Sequence, residues 1–162
     1  MSKVPFPKNH ITTRATKPLQ LIHTDIGYLM EETWFGEKYA IEFIDDYSRF
    51  QKIYLLKTKT AEEVLEKFNQ YLNYVGKFHP TEYKTLRADN GGEYRAKIFM
   101  NFCSENKIHQ EFSSPRTAEQ NGVAERNWQT INNMVRGMLK DSKLDPRWCG
   151  KATEMAAHIK NL

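Results

Sequence analysis

The chain has little of what marks several common classes of protein. It contains only two cysteines, Cys103 and Cys149, and no Cys-x-x-Cys or His-x-x-x-His pair, so we expect core thiols and no zinc site in this segment. No apolar run approaches the roughly 20 residues of a membrane span, and no apolar stretch follows Met1. Internal repeats and low-complexity tracts are absent. We therefore expect a protein of a reducing compartment without a membrane partner.

What is present suits one globular domain with a charged arm. The 162 residues are 40% hydrophobic and 27% charged, enough for one core. The net charge of +4 is carried by the first 20 residues, which hold four bases and no acid. Residues 126–162 add a second basic region, with seven bases against three acids. A polyanionic partner suits this distribution, although a solubilising surface explains it as well.

The first half of the chain predicts an arm followed by strands and a helix. The prolines of Val-Pro-Phe-Pro and Pro18 indicate an extended basic arm over residues 1–18, with the folded core at residues 19–162. Thr60-Ala-Glu-Glu63 predicts a capping box that opens a helix ending at Gly76. Alternating apolar residues predict three strands before that helix: Leu19–Tyr28, Lys38–Asp46 and Phe50–Leu56.

The second half predicts two more strands and three helices. The long helix near the end carries one apolar stripe, and either Thr117 or Asn121 can cap it. The order of elements predicts an α/β fold in which helices cover a mixed five-stranded sheet. The remaining predicted elements are a strand at Tyr83–Asp89, a short helix around residues 98–103, a strand at Ile108–Phe112, a polar loop at Ser113–Asn121 and a last helix from Pro146 to about Lys160.

Three acids on separate elements indicate a metal site. Asp25 lies within a predicted strand, Asp89 ends another, and Glu125 lies on the polar face of the long helix, 35 residues after Asp89. Three carboxylates can bind the pair of divalent cations that bridge a scissile phosphate, activate the attacking oxygen and neutralise the leaving one. Taken singly, each acid is more simply explained as a solvated residue at a strand end or on a helix face.

The sequence around these acids resembles a known enzyme family. The motifs are Ile-His-Thr-Asp25, Phe-Ile-Asp-Asp-Tyr-Ser-Arg49, Arg-Ala-Asp89-Asn-Gly-Gly-Glu-Tyr94 and Gln-Asn-Gly-Val-Ala-Glu125-Arg126. Together they resemble the integrase catalytic core of Ty1/copia-type LTR retrotransposons, relatives of retroviral integrases. The resemblance implies an RNase H-like fold, a five-stranded mixed sheet flanked by helices on both faces. It also implies a DDE polynucleotidyl transferase that joins a DNA 3′ end to target DNA.

The resemblance further implies cofactors, partners and a location. Asp25, Asp89 and Glu125 are expected to be the catalytic residues and to bind Mg²⁺ or Mn²⁺, two ions once DNA is bound. The implied partners are element-end DNA, target DNA and further copies of the chain, as a dimer or tetramer in a nuclear integration complex. We expect this segment to be a core taken from a longer Gag-Pol product. The candidate DNA contacts are Gln120, Asn121, Gln129, Asn132 and Arg136.

Two other functions remain open from the sequence. The first is an RNase H-type nuclease, whose site would add a glutamate from the first helix, where Glu62, Glu63 and Glu66 are available. The second is a catalytically silent, domesticated core that binds DNA or protein. All three acids are present, which weighs against a silent core.

Several neighbouring residues have simpler structural interpretations. We expect Asp45 and Asp46 to build the turn before Tyr-Ser-Arg49, and Trp128 and Cys103 to pack in the core. His23 lies two residues before Asp25 on the same strand face, where packing is favoured over a supporting role at the site. We also expect the aromatic residues of the first strands to pack rather than to form a stacking surface: Trp34, Phe35 and Tyr47.

Overall fold

The computed structural model describes residues 14–77, 85–113 and 118–162. The three opening strands and the first long helix lie within two residues of their predicted bounds, while a short helix after Asn90 was not predicted. The elements are β1 (Leu21–Tyr28), β2 (Tyr39–Asp45), β3 (Gln51–Leu56), α1 (Ala61–Gly76), β4 (Thr85–Ala88), α2 (Gly92–Arg95), α3 (Lys97–Glu105), β5 (His109–Phe112), α4 (Ala118–Ser142), a 3₁₀ turn (Pro146–Trp148) and α5 (Cys149–Lys160).

The strands form one mixed sheet in the order β3-β2-β1-β4-β5. The pairs β1/β2 and β2/β3 are antiparallel, as expected of a meander, whereas β4 and β5 add in parallel beside β1. In these registers Asp25 of β1 lies opposite Glu42 of β2, and His23 lies beside Arg87 of β4. The predicted five-stranded mixed sheet is confirmed.

Helices cover both faces of the sheet, and β1 contributes to each face in alternation. Its Ile22 belongs to the larger core cluster, which includes Phe68 of α1 and Phe99 of α3. The opposite face carries the second cluster, where Ile131 of α4 and Ala156 of α5 are fully buried. Because strand residues alternate between faces, His23, Asp25 and Gly27 share the α4 and α5 side. Among the described helices, none has the length and apolar character needed to cross a membrane.

The predicted capping box forms only in part. Thr60 precedes α1, and its hydroxyl accepts the Glu63 amide at 3.4 Å, as the motif predicts. The Glu63 carboxylate does not return to the Thr60 amide; it accepts the backbone amides of Lys57 and Thr58, each at 2.8 Å. The same carboxylate therefore fixes the chain between β3 and α1.

The start of α4 differs from the expected polar loop. Its backbone is helical from Ala118, so the loop predicted for residues 113–121 is wrong over its last four positions, and so is a cap at Asn121. Thr117, the other predicted cap, lies outside the described residues. A helix that begins here gains a full turn of backbone hydrogen bonds, which outweighs the weak local preference of Asn and Gly for a turn.

The turn between β2 and β3 is built by its two aspartates, as predicted. Asp45 accepts the amide of Leu19 at 2.8 Å, and Asp46 accepts the amide of Ala15 at 2.8 Å and His23 Nε2 at 2.8 Å. Ala15 and Leu19 are buried, so the described end of the predicted arm is attached to this turn. The first thirteen residues lie outside the described part of the chain.

Packing of three aromatic residues was predicted wrongly. Trp34, Phe35 and Tyr47 are 53%, 64% and 49% exposed. None of them lies within a strand: Trp34 and Phe35 are in the connection between β1 and β2, and Tyr47 is in the next turn. Arg147 covers the Trp34 ring, with its guanidinium carbon 3.4 Å from the ring centre. Cys103 is buried, as predicted.

Candidate functional site

The sheet brings Asp25 and Asp89 side by side. The parallel register of β1 and β4 ends with the pair His23 and Arg87, and Asp25 and Asp89 each lie two residues further along the chain. The charge of Asp89 acts on the Asp25 carboxyl, so the two groups are close enough to interact. Asp89 directly follows β4, and its Oδ1 accepts the Gly91 amide at 3.0 Å. Both aspartates are half-buried.

The third acid reaches this region on α4, which packs closely on β1. Glu125 is exposed, and Trp128 follows it by about one turn. A methyl group at Gly27 would lie 3.1 Å from Trp128 Cε2, so the indole rests almost on the β1 backbone. Because Gly27 lies two residues after Asp25 on the same face, this contact sets the distance between α4 and Asp25.

The pKa of Asp25 responds to both other acids. Burial, the negative charge of Asp89 and, less strongly, that of Glu125 raise this pKa to about 6. A hydrogen bond from the Ile26 amide and the nearby Trp128 indole act in the opposite direction. Asp25 therefore interacts with both of the other predicted catalytic acids.

Trp128 presents an unused donor beside Asp25. Its Nε1 is buried and has no hydrogen-bond partner within the described part of the chain, although the indole lowers the Asp25 pKa. Both observations hold when the indole N–H lies near the Asp25 carboxylate but at a distance or angle outside the range of a hydrogen bond. The predicted core position of Trp128 is confirmed in part, since the ring packs on the second cluster while remaining half-buried.

The donor set fits a hard divalent cation in its chemistry. Carboxylate oxygens are the ligands that Mg²⁺ and Mn²⁺ prefer. The negative charges of Asp89 and Glu125 act on Asp25, whose carboxyl is partly withdrawn from water. Within residues 14–77, 85–113 and 118–162, however, no three His, Cys, Asp or Glu side chains are arranged closely enough to hold a metal ion. The assignment of Asp25, Asp89 and Glu125 as metal ligands therefore stays a prediction.

The first-helix glutamates lie on the wrong side for an RNase H-type site. The α1 helix packs on the face of the sheet opposite to α4, and Asp25 faces α4. In addition, Glu63 is engaged by Lys57 and Thr58. The structure thus disfavours a fourth carboxylate from α1.

A buried polar network next to Asp25 was missed from the sequence. Asn127 donates through Nδ2 to Glu42 Oε2 at 2.5 Å and to Gln51 Oε1 at 2.6 Å, and Lys160 donates to the Asn127 side-chain oxygen. Glu42 is fully buried, and its Oε1 has no hydrogen-bond partner among the described residues. A glutamate in the otherwise apolar strand Tyr-Ala-Ile-Glu-Phe-Ile, opposite Asp25, was the available signal.

Burial gives Glu42 an unusual pKa and links it to the site. Withdrawal from water and, less strongly, the charge of Asp25 raise the pKa of Glu42 to about 8, against the opposing effects of Asn127 and Lys160. Near neutral pH the group is therefore mostly a neutral acid. Asn127 belongs to the same helix turn as Glu125, so this network ties that turn of α4 to β2 and β3.

The predicted DNA contacts divide into two groups. Gln129, Asn132 and Arg136 lie on the stripe of α4 that continues from Glu125, and Gln129 and Arg136 are exposed. Gln120 and Asn121 lie in the first turn of α4, where the side chains fall outside the described residues. None of these contacts is tested by the fold alone.

This architecture, a β3-β2-β1-β4-β5 mixed sheet with helices on both faces, defines an RNase H-like fold. Residues 15–118 match the family described as Integrase core domain, and the chain belongs to that family. The match includes Asp25 and Asp89 and ends before Glu125.

The curated relatives are Ty1/copia-type polyproteins, as the sequence motifs predicted. The chain is 40% identical over 144 residues to the Retrovirus-related Pol polyprotein from transposon TNT 1-94 of Nicotiana tabacum, covering 88% of this chain and 11% of that protein. It is 29% identical over 159 residues to the corresponding polyprotein of transposon RE2 of Arabidopsis thaliana, covering 98% and 10%. The chain thus spans about a tenth of the length of these relatives.

Solved structures show the same fold at low identity. The catalytic core domain of HTLV-2 integrase, solved in complex with magnesium in a trimeric form, aligns with a TM-score of 0.68 and 20% identity, covering 89% of this chain and 86% of that chain. A chain of the simian T-cell lymphotropic virus intasome, solved with the PP2A regulatory subunit B56 gamma, aligns with a TM-score of 0.74 and 17% identity, covering 89% and 49%.

Proposed function

We propose that this chain is the catalytic core of a metal-dependent DNA strand transferase, with Asp25, Asp89 and Glu125 as its catalytic and metal-binding residues. The supporting observation is the carboxyl of Asp25, which is partly buried and whose pKa responds to both other acids. Membership of the integrase core family supports the same activity, and so does the magnesium complex of the HTLV-2 relative.

In the proposed reaction, one DNA end is joined to a second DNA. The 3′-oxygen of the first DNA loses its proton and bonds to a phosphorus of the target, while the target's bond between that phosphorus and its own 3′-oxygen breaks. The released 3′-oxygen takes up a proton, so no oxidant or energy source is needed. Two Mg²⁺ or Mn²⁺ ions, when bound, supply the positive charge that activates the attacking oxygen and neutralises the leaving one.

The chain's own residues would fix the geometry of this step. Asp25 lies in β1 and Asp89 directly follows the neighbouring strand β4, and the contact of Trp128 with Gly27 would hold Glu125 toward them. Hydrogen bonds from Asn127 to β2 and β3 stabilise the same helix turn. Groups held by rigid elements lose little freedom on reaching the reactive geometry, which favours catalysis.

The partners and location follow from the same proposal. The DNA substrates would be the ends of the element and the target, with Gln120, Asn121, Gln129, Asn132 and Arg136 among the contacts. The active form would be a dimer or tetramer in a nuclear integration complex, produced as part of a larger polyprotein. The Pol polyprotein relatives and the intasome neighbour support this assembly.

A joining assay tests the proposal. Duplex DNA with a labelled strand and a free 3′-hydroxyl is incubated with supercoiled plasmid and Mn²⁺, and joined strands are resolved on a denaturing gel. We expect joining by the wild-type chain and by Asp141→Asn, an exposed control on α4, but none by Asp89→Asn. Joining by folded Asp89→Asn would contradict the proposal. Shortened RNA from a hybrid would indicate a nuclease instead, and the absence of any Mn²⁺-dependent thermal shift would indicate a binding module.

A further inference from the structure

A basic groove lies on the flank of α4 that carries Arg126 and Thr130. It has a volume of about 390 Å³ and is lined by residues of β2, β3, the turn between them, α4 and the end of α5. The turn, α4 and α5 contribute one cation each, and these are Arg49, Arg126 and Lys160. None of the three cations was predicted to belong to a site.

The cations of the groove are only partly neutralised by the protein. Arg49 lies 3.6 Å from Asp46, which also binds His23 and the Ala15 amide. Lys160 donates to the neutral side chain of Asn127. Arg126 makes no ion pair with an acid within the described residues, and its guanidinium would lie 3.6 Å from a methyl group at Gly122. The groove thus holds excess positive charge beside an open surface.

The groove and the candidate active site lie on opposite flanks of one helix. Successive helix residues are about 100° apart around the axis, so Arg126 and Thr130 face the groove while Glu125 and Trp128 face β1. A helix is about 10 Å across with its side chains, which is close to three base-pair rises of about 3.4 Å. One DNA strand crossing the exposed side of α4 can therefore reach both flanks.

We propose that this groove binds a backbone phosphate of DNA, held chiefly by Arg126 and Arg49 with Lys160 at its inner end. Guanidinium groups suit this ligand because their paired N–H donors match two phosphate oxygens. Thr130 offers a further polar group in the same groove, whereas the side chain of Gln51 is already bonded to Asn127 and to the Ala157 carbonyl. The choice of DNA as the ligand rests on the proposed function, whereas the charge and shape of the groove do not.

The salt dependence of DNA binding tests the groove. A fluorescein-labelled 20-base-pair duplex is titrated with the full chain by fluorescence anisotropy from 50 to 300 mM KCl. Each lost phosphate contact should reduce the slope of log K against log [KCl] by about 0.9. Because both arginines hold the same phosphate, we expect Arg126→Gln and Arg49→Gln each to reduce the slope by up to this amount, with Kd rising roughly three- to tenfold for each. The matched control is Lys77→Gln, an exposed cation at the end of α1 across the sheet.

The outcomes separate the groove from the catalytic proposal. Slopes unchanged in both arginine variants, or no DNA binding by the wild-type chain at 50 mM KCl, would overturn the groove inference. The inference would also be overturned if the arginine variants bound a labelled polyglutamate peptide more weakly while their affinity for DNA stayed unchanged, because that result indicates a protein ligand. Asp89→Asn should lose strand joining yet keep the wild-type slope. If no variant joins DNA but the slopes fall as expected, the groove stands and the catalytic proposal fails.

Discussion

Replacing Glu42 with glutamine should stabilise the protein at neutral and alkaline pH. Glu42 is fully buried, one of its oxygens has no partner among the described residues, and its pKa is raised from 4.5 to about 8. Glutamine has nearly the same shape and resembles the protonated acid, and its oxygen can still accept the Asn127 side-chain N–H. The substitution therefore removes the titration while retaining the packing.

The sign and the size follow from proton linkage. Between pH 4.5 and about 8 the folded state keeps the Glu42 proton and the unfolded state loses it, so the wild-type free energy of unfolding falls as pH rises through that window. Each pKa unit corresponds to about 1.4 kcal/mol, so the full loss above pH 8 is of the order of 5 kcal/mol. The variant lacks this loss, and its advantage should grow across the window and then level off.

Urea denaturation at half-unit steps from pH 5 to 9 measures this difference. The gap in unfolding free energy between Glu42→Gln and wild type should widen toward alkaline pH, while Glu105→Gln, an exposed carboxylate at the end of α3, should show no such trend. A gap that is constant across the range, or a variant that is less stable than wild type at pH 8.5, would refute the reasoning.

Three further substitutions test the contacts around the site. Gly27→Ala places a methyl group 3.1 Å from the Trp128 indole and should lower the free energy of unfolding by about 1–3 kcal/mol in thermal or urea denaturation. Gly137→Ala, with open space around it in α4, should raise that free energy by about 0.5–1 kcal/mol. Equal effects of the two substitutions would contradict the close contact. Trp128→Phe removes the indole N–H, so the Asp25 pKa should rise above about 6 in a carboxyl-carbon NMR titration, and an unchanged value would show that the indole has no influence. Glu63→Ala loses two backbone hydrogen bonds before α1 and should lower the unfolding free energy by about 1–3 kcal/mol; no loss in urea would show that this carboxylate is dispensable.

The strands and the long helices could be predicted because their signals are local. Helical spacing from Val64 to Val75 reflects which face of α1 is buried, whereas the strand Tyr39–Asp45 is a mainly apolar run buried on both faces, and burial dominates the stability of both elements. The Glu63 bonds could not be predicted, since a glutamate near a helix start has several amides within reach. The positions of these amides in the folded protein decide which of them Glu63 accepts.

The three candidate acids were predicted from motifs, whereas the side chains around them could not be predicted. Asp25, Asp89 and Glu125 are recognised by the residues next to them in sequence. The network of Glu42 and Asn127 joins residues 85 positions apart, and only the register of β1 with β2 and the rotation of α4 bring them together. No pattern of neighbouring residues in the sequence indicates that the side chains of Glu42 and Asn127 come together.

The most direct test of the central claim is an anomalous-scattering map from crystals of the chain grown with Mn²⁺ and duplex DNA. We expect two peaks at about 2.0–2.3 Å from carboxylate oxygens, with Asp25 contacting both ions and with Asp89 and Glu125 contacting at least one each. Ordered manganese bound at another place, or peaks at Asp25 and Asp89 with Glu125 turned away in the presence of DNA, would contradict a shared three-carboxylate site.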